Sequence, residues 1–378
     1  MSTAIKLLPE NPRALMRAII QRVATGPELS KDISREEARL GMKAVLDGAV
    51  DPVQAAVFLI GLRMKRETDE ENQGILDAIR GATLRATAPV ADLVDLADPY
   101  DGYNRTVPSA PFLPAVLAAL GAPTVSNGME TVGPKFGTTH RKVLRAAGLD
   151  VTLSSAEAAR RIADPALGWA YVDQEQGCPA LAALREFRTT LVKRPAITTV
   201  EVMGGSVVAE GRTHMLTGYV HKPYPRIYAL LARHAGYASG LFLRGVEGGV
   251  TPSLRQPGKL FRYWDFGPEA AVEIDPVAMG IHQPLRAVPT PEGLPASPPM
   301  AEGVALTHDM DAAADVAAEL GLAALEGAPG GIRDGLVCTG AAVLWHLGRV
   351  ADFGAGAEAV RGALDDGSAL RRFNAAKG

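Results

Sequence analysis

Cysteine is nearly absent. Cys178 and Cys338 are the only two, and without a C-x-x-C spacing they exclude a disulfide framework and a cysteine-based structural zinc site; both are read as small buried hydrophobes in a reducing compartment. Long apolar runs are missing too, because charges or Pro/Gly interrupt every candidate membrane span, and Met1 to Asn11 carries no basic start followed by an apolar segment. The reading is a cytoplasmic protein with no membrane contact. Neither sign of charge dominates: 39 basic against 42 acidic side chains give a net charge of −3, which excludes a uniformly basic nucleic-acid binder. No repeat of solenoid period occurs. No Ser-His-Asp or Cys-His grouping suggests a nucleophile, and His140, His214, His221 and His234 lack metal-like spacing, so each is read as a surface or helix-end polar residue. What is present, 47% hydrophobic and 21% charged residues over 378 positions, suffices for one large α/β unit or two joined domains.

From Pro12 to Arg85 the pattern is helical. Ser34 with Glu37 and Thr68 with Glu71 form capping boxes, and Asp51-Pro52 supplies an N-cap followed by proline at the first helical position. Leu40, Ala44 and Val45, then Val53, Val57, Phe58 and Leu62, recur at helical spacing and leave an apolar face in need of a partner, another subunit being one choice. At Pro89 the texture changes. Strand-like runs at 92–97, 123–126 and 169–172 alternate with helical runs at 111–120 and 138–147, which predicts a parallel sheet with helical crossovers. Ile197 to Val202, Ser206 to Ala209 and Ser239 to Arg244 read as further strands, Pro225 to Ala235 as a helix, Gly267 to Pro299 as a Pro-rich surface connection, and Asp309 to Asn374 as two or three helices. The expected fold is α/β: a small helical domain, residues 1–88 with 173–196 beside it, and a larger α/β domain, residues 89–172 and 197–378, with a mainly parallel central sheet flanked by helices.

Two loops are placed to bind a ligand. Val94 to Ser109 is a strand opening into a turn-rich loop and then a helix, and Ser126 to Thr139 repeats the arrangement on a neighbouring strand with several glycines, hydroxyls and one cation, Lys135. Loops beyond the carboxyl ends of parallel strands face the crevice where α/β proteins hold small molecules. Lys135 is a point charge suited to phosphate, or else a solvated surface lysine.

The order and spacing of these segments resemble the anthranilate phosphoribosyltransferase family, which shares its fold with pyrimidine nucleoside phosphorylases. The resemblance rests on Asp32 to Ala38, Leu46-Asp47-Gly48 and Gln54 to Lys65 in the helices, and on both loops. It implies a helical domain that dimerises, a phosphosugar substrate, a magnesium ion, a nitrogen acceptor and a place near tryptophan biosynthesis. The family's Gly-Thr-Gly-Gly-Asp diphosphate loop falls on Ala97-Asp98-Pro99-Tyr100-Asp101, where only Asp101 matches. Ser109 matches a phosphate-binding serine, Val107 replaces an asparagine, and in the second loop Gly128, Lys135 and Gly137 match while Met129 and Glu130 replace an Asn-Arg pair. Arg185 matches an arginine associated with anthranilate, and a paired Asp-Glu metal motif falls on Glu247-Gly248, leaving one carboxylate.

The implied assignments are Asp101 and Lys135 as catalytic residues, Arg105, Ser109, Asn127, Gly128, Thr138 and Arg185 as substrate-binding residues, and Glu247 as a weakened site for Mg2+. The activity they imply is (phospho)ribosyl transfer to or from a nitrogen acceptor, with the departures arguing against anthranilate itself. The segments around Asp98 to Gly102 and Arg244 to Gly248 also resemble a divergent branch, some of whose members bind nucleic acid. Between Arg185 and Arg262 about a dozen basic residues stand against about four acids, with Tyr219, Tyr224, Tyr228 and Trp264 interleaved. The second reading is therefore a nucleic-acid-binding or regulatory paralogue without turnover.

Overall fold

In the computed structural model residues 11–26, 28–298, 304 and 306–377 are described; Met1 to Glu10, read above for a targeting segment, and Pro299 lie outside them. The chain divides into a helical unit, formed by the N-terminal segment to Thr83 with Cys178–Gly205, and an α/β unit, Leu84–Gly177 with Ser206–Gly378. Among the described residues no helix is long and apolar enough to cross a membrane.

The helical unit begins with α1 (Pro12–Val23), α2 (Arg35–Leu46), α3 (Pro52–Lys65) and α4 (Asp69–Ala82). Ser34 and Thr68 each cap the amide three residues on, and Glu37 and Glu71 reach back to the cap amides, so both boxes close. Glu71 does a second job: buried, it also accepts from the Ile33 amide at 2.9 Å and pairs with Lys65 at 2.8 Å, tying α3 to α4. The segment 197–202, expected as strand, is a short helix, Ile197–Val200, continued by a 3-10 turn, Glu201–Met203. Ile197, Val200 and Met203 are buried at every third position, a helical period that outweighs the β-propensity of the run. It lies in the helical unit, so the expected domain boundary at 197 moves to Gly205. Glu201 forms two hydrogen bonds with Arg188, at 2.6 and 2.7 Å, and both side chains are buried.

The α/β unit holds β1 (Ala86–Ala88), β2 (Asp92–Ala97), β3 (Thr124–Gly128), β4 (Trp169–Asp173), β5 (Val207–Ala209), β6 (Arg212–Gly218), β7 (Ser239–Leu243), β8 (Gly258–Trp264) and β9 (Ala270–Ile274). β1 and β5 form a small parallel pair; the rest form one sheet in the order β4-β3-β2-β6-β7-β8-β9. The first five are parallel, and β8 pairs antiparallel with β7 on one side and β9 on the other. Strand alternation splits the core. Val94, Leu96, Trp169 and Tyr171 face α5 (Leu113–Ala119), α6 (His140–Ala146) and the C-terminal helices, whereas Leu93, Val125, Ala170 and Val172 face α7 (Ser155–Ala163) and β5. β6 escapes the sequence reading because Thr213, His214 and Thr217 give a central strand a polar look; each is buried and bonded, as Thr217 is to the Ala97 carbonyl at 2.8 Å. The segment 267–299 is not all connection, since it contains β9. Among the described residues the C-terminal part has four helices, Met310–Leu325, Gly331–His346, Phe353–Asp365 and Ser368–Ala375.

Candidate functional site

The parallel strands β2, β3 and β7 end on the same edge of the sheet, and the loops that leave them meet. The meeting point is the carboxylate of Glu247, whose side chain is 2% exposed. It accepts hydrogen bonds from the backbone amides of Asn104 (3.1 Å) and Arg105 (3.0 Å) and from the Thr106 hydroxyl (2.8 Å), and its Oε2 lies 3.1 Å from Lys135 Nζ. Arg105 Nε stands 4.0 Å away on a side chain that is 82% exposed. Two amides, a hydroxyl and an ammonium converging on one position form an anion cradle, with a carboxylate from the chain itself as its occupant. Burial works against the charged form of Glu247, yet Lys135 and the Asn104, Thr106 and Arg105 bonds hold its pKa below the usual carboxylate range. Its backbone is left-handed, φ 54° and ψ 15°, a conformation that costs a non-glycine residue roughly 1–2 kcal/mol and that the four contacts sustain.

Tyr103 joins the cradle to a second acid. Its hydroxyl bonds to the buried Asp98 carboxylate at 2.8–2.9 Å, and the Val250 amide adds a donor at 3.0 Å. Lys135 Nζ lies 5.3 Å from the centre of the Tyr103 ring. Burial first, and Asp98 second, push the Tyr103 phenol well above its ordinary pKa, so it is a neutral donor. His140 Nε2 is 3.1 Å from Asp98 Oδ2 but not aligned as a hydrogen bond, and the ring is buried. Backbone bonds between Tyr103 and Thr138 (3.0 and 2.8 Å) clamp the loops from β2 and β3 together. Two glycines permit this: a Cβ on Gly137 would meet the Tyr103 amide nitrogen at 2.6 Å, and one on Gly249 would meet the Tyr103 hydroxyl at 1.7 Å.

The other residues singled out in the sequence are distributed as follows. Asp101 is half-buried and its carbonyl accepts from the Gly137 amide at 2.8 Å. Ser109 is buried and shares a 3.0 Å hydrogen bond with Thr251, in the loop after β7. Thr138 is buried with its hydroxyl 3.7 Å from the Met310 sulfur. Asn127 is turned into the core, donating to Asp95 at 3.0 Å and accepting from Ser206, and Gly128 is the last residue of β3, against Tyr171; neither lines the cradle. Arg185 opens a helix of the helical unit. Glu130, a charge reversal in the sequence comparison, is neutralised locally: Arg141, Lys142 and Arg145 all contact it. Burial opposes its ionisation, but hydrogen bonds from Arg145, Lys142 and Arg141 bring its pKa down to about 2.

His140 opens α6, as a helix-end residue, though its ring is buried; His214 departs from expectation, since it is buried in β6. His214 bonds Ser239 at 2.7 Å and Asp92 at 3.0 Å, and Ser239 also meets His346 at 2.8 Å. The basic stretch is also less available than its sequence suggests. Arg188 is buried against Glu201, Arg233 pairs with Glu269, Tyr219 is buried, and Trp264 stacks on His214.

Residues 17–83 match the glycosyl transferase family, helical bundle domain. An anthranilate phosphoribosyltransferase of Rhodopseudomonas palustris is 27% identical over 357 residues, covering 94% of this chain and 96% of that one, and an anthranilate phosphoribosyltransferase of Acidithiobacillus ferrooxidans is 28% identical over 365 residues, covering 96% and 98%. Over nearly its whole length the chain is similar to anthranilate phosphoribosyltransferases. The fold agrees: the Thermus thermophilus anthranilate phosphoribosyltransferase superposes with a TM-score of 0.69 at 18% identity, covering 96% of this chain and 98% of that one, and the Saccharomyces cerevisiae enzyme in complex with PRPP and Mg with 0.70 at 13%, covering 96% of each.

The chain does not offer the magnesium implied by this similarity a fitting set of ligands. Glu247 already receives three hydrogen-bond donors and a cation, the adjacent position is Gly248, and among the described residues no three His, Cys, Asp or Glu side chains gather to hold a metal ion. A divalent cation beside Glu247 would also stand beside the Lys135 ammonium. The residues expected to hold phosphate and metal are bonded to each other instead.

Proposed function

We propose that this protein is a phosphoribosyltransferase-like glycosyltransferase that takes a phosphosugar at the cradle without a divalent metal, and whose nitrogen acceptor is not anthranilate. The observation that carries the reading is the convergence of Asn104 N, Arg105 N, Thr106 Oγ1 and Lys135 Nζ on one anionic position beyond the carboxyl ends of β2, β3 and β7. In such a transfer the bond from the sugar C1 to the phosphate oxygen breaks with its electron pair leaving on the phosphate. The acceptor nitrogen then bonds to C1 and gives up a proton. Lys135, Thr106 and the two amides would hold the departing anion, and the half-buried Asp101 carboxylate is the candidate to offset the positive charge that develops on the sugar. Ala97, Pro99 and Tyr100 stand where the family's loop has glycines, and Asp98 adds a carboxylate where a diphosphate would be wrapped, which favours a smaller anionic group.

Calorimetric titration with phosphoribosyl diphosphate and with ribose 1-phosphate, whose phosphate departs from C1, each with and without magnesium, tests this. Saturable binding without metal, lost in Lys135→Ala, is the expected result; no heat in the wild type under any condition, or binding that needs magnesium, contradicts it. A homodimer through the helical unit belongs to the same proposal. Val53, Val57 and Met64 leave an exposed apolar strip along α3, Val53 70% and Met64 78% exposed, beside a groove of about 510 Å3. Sedimentation of Val53→Glu against wild type reads that part separately.

A further inference from the structure

We infer that the cradle is a phosphate site of which Glu247 is the built-in occupant, so that a phosphomonoester enters by displacing the Glu247 carboxylate. Three features of the geometry support this. The donors that Glu247 collects are the mixture that binds phosphate: consecutive backbone amides, a hydroxyl, a lysine, and an arginine poised at the rim. The amides of Asn104 and Arg105 belong to a loop and not to a helix or strand, so no neighbouring ladder satisfies them when the carboxylate leaves, and an incoming anion recovers both bonds. Glu247 itself enters on a strained left-handed residue in a short turn, Val246–Gly248, flanked by glycines on both sides.

The occupant and the ligand differ in a way that favours exchange. A carboxylate presents two oxygens and one charge, whereas a phosphomonoester presents three oxygens and nearly two charges. Arg105, at 4.0 Å from Glu247 and largely in solvent, is free to close on the larger anion. The apparent affinity of wild type for phosphate is then the intrinsic affinity reduced by the fraction of molecules in which Glu247 has left. This deepens the reading above and rests on the same cradle, but it concerns the anion alone and is independent of which sugar or acceptor is used.

The test is titration of the full chain with inorganic phosphate at constant ionic strength, chloride replacing phosphate, for wild type, Glu247→Ala and Glu247→Gln, with folding verified by circular dichroism. Phosphate is expected to bind Glu247→Ala at least tenfold more tightly than wild type, with the gain removed by adding Lys135→Met. The Gln variant keeps the shape and removes the charge, and is expected between the two. Equal affinity in wild type and in whichever variant folds would overturn the inference. A wild-type readout stands beside it: phosphate in the tens of millimolar should move the amide resonances of Asn104 and Arg105 while chloride does not, and unmoved amides would also overturn it. Failure of phosphoribosyl diphosphate to bind, with phosphate still tightened in Glu247→Ala, would remove the proposed substrate and leave this site intact.

Discussion

Replacing Lys135 by methionine removes the cation from the cradle and leaves Glu247 buried. At the 3.1 Å separation of Lys135 Nζ and Glu247 Oε2 the gross attraction is about 5 kcal/mol at an effective dielectric of about 20. Part of this is returned because the ammonium no longer has to be desolvated, and the bonds from Asn104, Arg105 and Thr106 remain. The expected loss is therefore about 2–3 kcal/mol at pH 8, at or below the range of roughly 3–5 kcal/mol for a buried charge stripped of its only partner. For an α/β unit of this size that is a fall in Tm of about 4–5 °C. The pH dependence supplies the sharper test. In wild type the Glu247 pKa lies below its ordinary 4.5, so its contribution is complete above that value and is lost as pH falls through the folded pKa. In Lys135→Met only burial and neutral donors act, the folded pKa rises, and the penalty is relieved as the carboxyl protonates. Scanning calorimetry of both proteins from pH 8 to pH 4.5 should show a Tm gap that narrows as pH falls. A gap below about 1 °C at pH 8, or one of constant width, would refute the pairing.

Gly249→Ala should lower Tm by an amount corresponding to about 3 kcal/mol or more, because its Cβ would lie 1.7 Å from the Tyr103 hydroxyl and would drive that ring off Asp98; Tyr103→Phe, which removes only the hydroxyl, should cost about 1–3 kcal/mol by the same measurement. The His214 and His346 pKa values are lowered by burial, His346 well below its ordinary 6.5. In the unfolded chain they protonate first, so stability present above about pH 6.5 is lost as pH falls toward 5, and His346→Leu should flatten that slope in urea titrations even if it lowers stability at pH 7. Glu130, depressed from 4.5 to about 2, contributes above pH 4.5 and ceases to as pH approaches 2. Glu130→Gln should therefore cost about 1 kcal/mol at neutral pH, discounted for its partial exposure, with the difference vanishing near pH 2.

The N-terminal helices were legible because their caps are local: Ser34, Asp51 and Thr68 announce each start within four residues, and each side chain makes the bond its position predicts. The parallel strands were legible where their residues are apolar, as in Asp92–Ala97, and illegible in Arg212–Gly218, where buried polar side chains find partners on other strands. The same limit governs the site. That the loops after β2 and β3 belong together could be read from strand-loop-helix order, and the structure joins them at Tyr103 and Thr138. What sequence could not yield was the identity of the partners. Lys135 reads as a phosphate ligand until Glu247, far along the chain, is found 3.1 Å from it. Asp98 reads as an intruding charge until Tyr103 and the Val250 amide are seen to satisfy it. Asn127 has the composition of a site residue and the position of a core one. The fold-level likeness survives at 13–18% identity because burial patterns tolerate substitution; cradle contacts depend on single side chains and do not.

The central claim is that the loops after β2, β3 and β7 build one anion cradle around Glu247. A crystal structure of Glu247→Ala grown in phosphate tests it most directly. An anion within hydrogen-bonding distance of the Asn104 and Arg105 amides, the Thr106 hydroxyl and Lys135 Nζ is the predicted result, whereas an ordered loop with Lys135 turned to solvent and no anion at that position would contradict it.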